Sequence, residues 1–137
     1  MELALQILSA AQAIEKAGQR LFKPHGLTVA QFNVLNVLSD QPAGLRLGDL
    51  AKALVVDPSN VTGLVQRMTK DGYLKLIPGA IDRRQRIVTL SPKGQRSWRD
   101  ALPDYRRALL QFEASVSKSD RAAALRVIRQ VFEATSA

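Results

Sequence analysis

Apolar residues recur along most of this chain with the spacing of amphipathic helices, and the period changes only in one stretch past the middle. Residues 2–22 set Leu3, Ile7, Leu8, Ala11, Ile14, Ala17 and Leu21 at helical intervals. Lys23-Pro24-His25-Gly26 ends that helix, because proline lacks an N–H and glycine accepts a positive φ. Thr28, with Gln31 three residues on, predicts a capping box for a second helix carrying Phe32, Leu35 and Leu38. The polar run Asp40-Gln41-Pro42-Ala43-Gly44 leads to a short amphipathic segment, Leu47 to Leu54, with Leu47, Leu50, Ala51 and Leu54 on one face. Asp57-Pro58 reads as an N-cap followed by proline at the first helical position. The helix behind it extends to Lys70 with Val61, Leu64, Val65 and Met68 inward, and Gly72 closes it.

Tyr73 to Ile77 and Arg86 to Leu90 are then short runs of β-branched and apolar residues, separated by the polar turn Pro78–Gln85. They predict a β-hairpin with a long basic tip. Ser91-Pro92 repeats the cap-plus-proline signal and opens a long helix through Trp98, Leu102, Leu109 and Phe112, which Pro103 should kink or interrupt. A final helix is expected over 119–133 with Leu125, Ile128, Val131 and Phe132. The expectation is a mainly α fold of six helices with a small β-hairpin, in a single domain over 1–137.

Charge sharpens this picture. The 137 residues carry 20 Lys+Arg against 12 Asp+Glu, a net charge of +8. Residues 58–99 hold Arg67, Lys70, Lys75, Arg83, Arg84, Arg86, Lys93, Arg96 and Arg99 against Asp71 and Asp82, so this segment alone carries +7. A basic patch of that kind suits a polyanionic partner, although a solvated face is the plainer reading of any isolated cluster. The 46% hydrophobic and 23% charged composition is that of a globular domain. With no cysteine, thiolate metal sites, thiol nucleophiles and disulfides are excluded, and the single histidine, His25, leaves no multi-histidine metal site. No apolar run is long enough to span a membrane. Met1-Glu2-Leu3 is not the basic start of a signal peptide, so a cytoplasmic location is expected.

Two short helices joined by Val55-Val56 and followed by a basic hairpin make a winged helix-turn-helix. Such a motif lays its second helix in the major groove of DNA. The positions of that helix left outside the core are Ser59, Asn60, Thr62, Gly63, Gln66, Arg67 and Lys70. Hydroxyl and amide groups near a helix N-terminus reach phosphates or base edges, Gln66 suits adenine, and Arg67 suits guanine or a phosphate. Each of them read singly is equally a solvated polar residue. Gly63 costs about 1 kcal/mol against alanine in mid-helix. Close approach of DNA or tight helix packing would each account for it. At the hairpin tip, Arg83, Arg84 and Arg86 surround Asp82, and a narrow, electronegative minor groove attracts inserted arginine. Asp82, two residues before Arg84, is expected to orient its guanidinium by a charge-assisted bond.

At these residues the chain resembles the MarR-type (multiple antibiotic resistance regulator) transcription factors. The resemblance runs through Leu27-Thr28-Val29-Ala30-Gln31-Phe32, Leu50-Ala51, Val61-Thr62-Gly63-Leu64-Val65-Gln66-Arg67-Met68 and Asp71-Gly72-Tyr73-Leu74. It continues through Asp82-Arg83-Arg84, Ile87-Val88-Thr89-Leu90-Ser91-Pro92-Lys93-Gly94 and Ala101-Leu102-Pro103-Asp104-Tyr105. The order and spacing of these segments are specific where no single one is. The resemblance implies a homodimer that binds a palindromic operator in double-stranded DNA and represses transcription. It implies a helical dimerisation region from both termini (1–24 and 100–137) around a DNA-binding region at 28–99. Leu3, Ile7, Ile14, Leu109, Phe112, Ile128, Val131 and Phe132 match the dimer helices, although apolar stripes are more often intramolecular core. Arg84 matches the wing arginine and Asp82 its positioning acid. Small aromatic acids or phenols release many family members from DNA, and His25 lies near where some place a ligand-cleft residue. Lack of cysteine sets the chain apart from the peroxide-sensing branch.

The expected DNA-contacting set is therefore Ser59, Asn60, Thr62, Gln66, Arg67, Lys70, Asp82, Arg83, Arg84 and Arg86. The alternative is a winged-helix module for protein–protein assembly or non-specific DNA binding. An enzyme is disfavoured, since the sequence offers no nucleophile–base pair, phosphate loop or paired carboxylates, and no cofactor or metal is implied. Repression and activation are not separable from the sequence.

Overall fold

The computed structural model describes residues 1–54 and 58–136, and its elements follow the predicted order with two additions, a 3-10 turn and a short first strand. They are α1 (Glu2–Phe22), a single 3-10 turn (Lys23–His25), α2 (Val29–Leu38), β1 (Leu45–Arg46), α3 (Leu47–Ala53) and α4 (Pro58–Lys70). After these come β2 (Leu74–Pro78), β3 (Arg86–Leu90), α5 (Pro92–Ala114) and α6 (Lys118–Thr135). The Asp57 cap and the Val55-Val56 junction lie outside the described residues, as does the side chain of Ser59.

The chain forms two compact units, Met1–Leu102 and Pro103–Ala137. The first holds the core. Phe32, Val34, Leu35 and Leu38 of α2 are buried, with Leu50 of α3, Val61, Leu64, Val65 and Met68 of α4, Leu74 of β2 and Val88 of β3. Helical spacing picks out all of these on α4 and Phe32, Leu35 and Leu38 on α2, while the burial of Val34 adds a position it did not mark. Phe22, the one buried residue of α1, stacks on Phe32 with ring centroids 4.3 Å apart. The α2 capping box is complete: the Thr28 N–H donates to Gln31 Oε1 at 2.9 Å and the Gln31 N–H to Thr28 Oγ1 at 3.1 Å. Trp98 of α5 donates from Nε1 to Asn36 Oδ1 at 3.0 Å, tying the start of α5 to α2.

The sheet has three strands where a two-stranded hairpin was expected. It is antiparallel in the order β1-β3-β2, with Leu45 opposite Val88 and Arg46 opposite Ile87. Gly44 permits the third strand. Its φ is +79°, and a Cβ there would stand 2.5 Å from the Val88 carbonyl oxygen. The β2–β3 ladder runs in register from Leu74 opposite Leu90 to Pro78 opposite Arg86. β2 thus begins one residue later than the sequence suggested: the Tyr73 N–H donates to the Met68 carbonyl at 2.9 Å and closes α4, while the Tyr73 carbonyl accepts the Ser91 N–H at 3.0 Å. The Ser91 cap is present, its Oγ accepting the Gly94 N–H at 3.0 Å.

α5 passes unbroken through Pro103, so the expected interruption does not occur. Proline removes one donor, leaving the Arg99 carbonyl without its helical partner, and Arg99 and Pro103 are both exposed to solvent. In the second unit, α6 starts at Lys118, not at residue 119, because Ser117 is the cap and accepts the Asp120 N–H at 3.2 Å. Arg121 bridges to Glu113 at 3.2 Å. No described residue of this unit is buried.

Candidate nucleic-acid interface

α3 packs on α4, and Leu50, Leu54, Val61 and Leu64 are buried, which fixes which side of α4 faces outward. At 100° per residue, Val61, Leu64, Val65 and Met68 occupy one arc of the helix. Asn60, Thr62, Gln66, Arg67 and Lys70 occupy the opposite arc, and all five are exposed. Every predicted reading position with a described side chain therefore lies on one solvent-facing strip. Gly63 lies within that strip, and a Cβ there would meet only the Arg67 Nη1 at 3.2 Å. Tight helix packing is thus removed as the reason for this glycine.

The wing stands beside this strip. A groove of about 340 Å³ between helix and hairpin is lined by Leu47, Thr62, Val65, Gln66, Leu76 and Arg86. It brings Thr62 and Gln66 of α4 onto one rim with Arg86 of β3, three residues that are adjacent only after folding. Leu47 and Leu76, which add apolar surface to its lining, were not part of the predicted site. Leu76 signals it only weakly, as an apolar residue on the more exposed strand.

Beyond Arg86 the tip is a tied loop. The Gly79 N–H donates to the Gln85 carbonyl at 2.9 Å and the Gln85 N–H to the Asp82 carbonyl at 3.1 Å. A Cβ at Gly79 would lie 2.5 Å from that Asp82 oxygen, so only glycine permits the closure. The expected role of Asp82 needs correction. Its Oδ1 accepts the backbone N–H of Arg84 at 3.0 Å, and among the described residues it makes no ion pair with the Arg84 guanidinium. The carboxylate shapes the turn by an Asx-type bond and leaves the Arg83, Arg84 and Arg86 side chains projecting into solvent. At the tip, fully exposed Ile81 escaped the sequence reading, which looked there only for charge.

Among the described residues no group of three or more His, Cys, Asp or Glu is placed to hold a metal. Nor is any described helix long and apolar enough to cross a membrane. His25 is half-buried in the turn after α1. Of the predicted dimer positions, Leu3, Ile14, Leu109, Phe112, Ile128 and Phe132 are exposed large apolar residues, whereas Ile7 and Val131 are half-buried.

Comparison with known proteins agrees with this geometry. The sequence model of the MarR family matches residues 25–85, from the turn after α1 to the wing tip. The transcriptional activatory protein BadR of Rhodopseudomonas palustris is 38% identical over 104 residues, which cover 72% of this chain and 59% of BadR. The chain belongs to the MarR family.

Structures of family members extend the likeness to nearly the whole chain. The M. tuberculosis transcriptional regulator MOSR, solved in complex with DNA, is 28% identical with a TM-score of 0.79, covering 97% of this chain and 95% of MOSR. BpsR of Bordetella bronchiseptica, whose DNA binding is regulated by 6-hydroxynicotinic acid, is 26% identical with a TM-score of 0.82, covering 93% of this chain and 91% of BpsR. The domain is therefore that of a DNA-binding MarR-family transcriptional regulator.

Proposed function

We propose that this MarR-family chain acts as a homodimeric, sequence-specific repressor of a palindromic operator. In each protomer α4 enters the major groove and the wing reaches the adjacent minor groove. One observation carries the reading: the polar strip of α4 and the arginines of the tied wing lie on neighbouring elements of one unit, in the segment that holds +7 of the net charge. Asn60, Thr62, Gln66, Arg67 and Lys70 supply the helix contacts, with Ser59 at its first turn. Arg83, Arg84 and Arg86 supply the wing contacts, and Asp82 holds the turn that presents them.

The exposed apolar positions of α1, α5 and α6 support the dimer. Six large hydrophobic side chains in water are costly at about 25 cal/mol per Å² of apolar surface, and a second copy is the partner we assign to them. Across a two-fold axis the two recognition helices would then sit about 34 Å apart, one turn of DNA. A small aromatic or phenolic ligand releases the operator in this reading, as the likeness to BpsR supports, and a coupling of about 1–3 kcal/mol suffices. His25 is a candidate contact for that ligand. The likeness to BadR, an activatory protein, favours the opposite sign of regulation. A reporter fused to the selected operator decides between the two.

Selection of bound duplexes from a random DNA pool at physiological salt tests the reading. Enrichment of an inverted repeat with half-sites one turn apart is the expected result. Binding without enrichment that vanishes as salt rises would overturn it, leaving a basic winged helix with another partner.

A further inference from the structure

The wing tip carries one large apolar side chain, Ile81, and it is fully exposed. A single exposed isoleucine needs no explanation in general. This one, however, sits on a loop held in one shape by the Gly79–Gln85 and Gln85–Asp82 backbone bonds and by the Asp82 carboxylate. Its neighbour Ala80 is small and exposed, so nothing bulky shields the isoleucine from whatever the tip meets. The residues that follow, Arg83 and Arg84, are exposed cations. An apolar side chain mounted beside two arginines on a fixed turn matches the interior of a DNA minor groove, whose walls are sugar C–H groups and whose potential is negative.

We infer that Ile81 is a specificity-determining residue: it enters the minor groove beneath the wing and selects A·T over G·C pairs there. The inference rests on the DNA-binding reading of the wing given above. An A·T pair presents only the acceptors adenine N3 and thymine O2 on the groove floor, and the neighbouring guanidinium groups can donate to those. A G·C pair adds the guanine N2 amino group, which projects from the floor. That amino group occupies the space an isoleucine would fill. It is also a donor, and neither a branched hydrocarbon nor an arginine offers it an acceptor, so it would be buried unpaired. The β-branch of isoleucine restricts χ1, which keeps the side chain from folding aside to make room.

The test uses the full-length protein and the duplex recovered by selection, in three versions. The base pairs beneath the wing are A·T, G·C, or inosine·C, which lacks the N2 amino group. Affinities are measured for the wild type, Ile81→Ala and Ile81→Ser. All three proteins should melt together, because a fully exposed side chain supports no core. The wild type is expected to bind the G·C duplex about tenfold more weakly than the A·T duplex, with inosine·C close to A·T. In Ile81→Ala the penalty should shrink as the space opens. In Ile81→Ser it should nearly vanish, because the hydroxyl also accepts from the amino group. The same G·C penalty in all three proteins would overturn the inference while leaving the DNA-binding reading intact, as would the absence of any penalty in the wild type. A wild type that binds no duplex specifically would remove both.

Discussion

Replacing Gly63 by alanine should make the protein more stable and a poorer DNA binder at once. Alanine is favoured over glycine in a helix interior by about 1 kcal/mol, because glycine loses more backbone freedom on folding. Nothing in the structure opposes that gain strongly. The added Cβ would meet only the Arg67 Nη1, at 3.2 Å, and the tip of an exposed arginine moves a few tenths of an ångström at little cost. A net gain of about 0.5–1 kcal/mol raises the melting temperature of a domain this size by about 2–4 °C. The methyl group would stand on the reading strip of α4, between Asn60 and Arg67, where a glycine lets DNA approach the helix backbone. Displacing the helix from its groove should lower operator affinity about tenfold, equivalent to about 1.4 kcal/mol. Thermal unfolding by circular dichroism reads the first effect, and fluorescence anisotropy with a labelled operator reads the second. Arg67→Ala and the double variant complete a cycle that separates the methyl group itself from any shift of Arg67. A variant that melts earlier would show that the glycine serves internal packing. One that melts later and binds equally well would refute the close approach of DNA at this position.

Other outcomes follow from the same geometry. Arg84→Ala should weaken operator binding and reduce the slope of log affinity against log salt by about 1, with the dimer unchanged by sedimentation; an unaltered slope would remove this arginine from the phosphate and groove contacts. Asp82→Ala should loosen the wing and weaken binding, whereas Asp82→Asn, which keeps an oxygen to accept the Arg84 N–H, should bind as well as the wild type or better; equal loss in both would return the role to the negative charge. Phe132→Asp should leave a folded monomer by sedimentation and circular dichroism, since Phe132 is 67% exposed; a dimer that survives this change together with Ile128→Asp would take α6 out of the interface. Phe32→Ala, at a fully buried ring stacked on Phe22, should cost about 3–5 kcal/mol in chemical denaturation, and a loss under 1 kcal/mol would contradict the placement of the core.

Much of the site was legible because its signals are local. The strip of α4 follows from 3.6-residue spacing: once Val61, Leu64, Val65 and Met68 point inward, Asn60, Thr62, Gln66, Arg67 and Lys70 have nowhere else to point. The Thr28–Gln31 box and the Ser91 cap are bonds between residues three apart, so the sequence carries them in full. The role of Asp82 was less legible. A carboxylate two residues before an arginine can take its guanidinium or its amide, and the choice depends on the curvature imposed at Gly79. The groove between helix and wing was invisible for a similar reason, since Thr62 and Arg86 become neighbours only when β2 and β3 pack beside α4.

Residue order alone decided the identity of the helices, the hairpin, the basic middle segment and the Thr28 and Ser91 caps, because helical period, capping and charge density are set within a few residues. Tertiary structure decided the third strand, where a two-residue segment gains its identity only by pairing Leu45 with Val88 across the fold. It also decided the unbroken course of α5 through Pro103 and the tying of the wing into a turn with Ile81 at its tip. The third strand depends on which distant backbone atoms come within hydrogen-bonding reach, and no local pattern records that; the other two rest on the solvent exposure around Pro103 and on the bonds that close the Gly79–Gln85 loop.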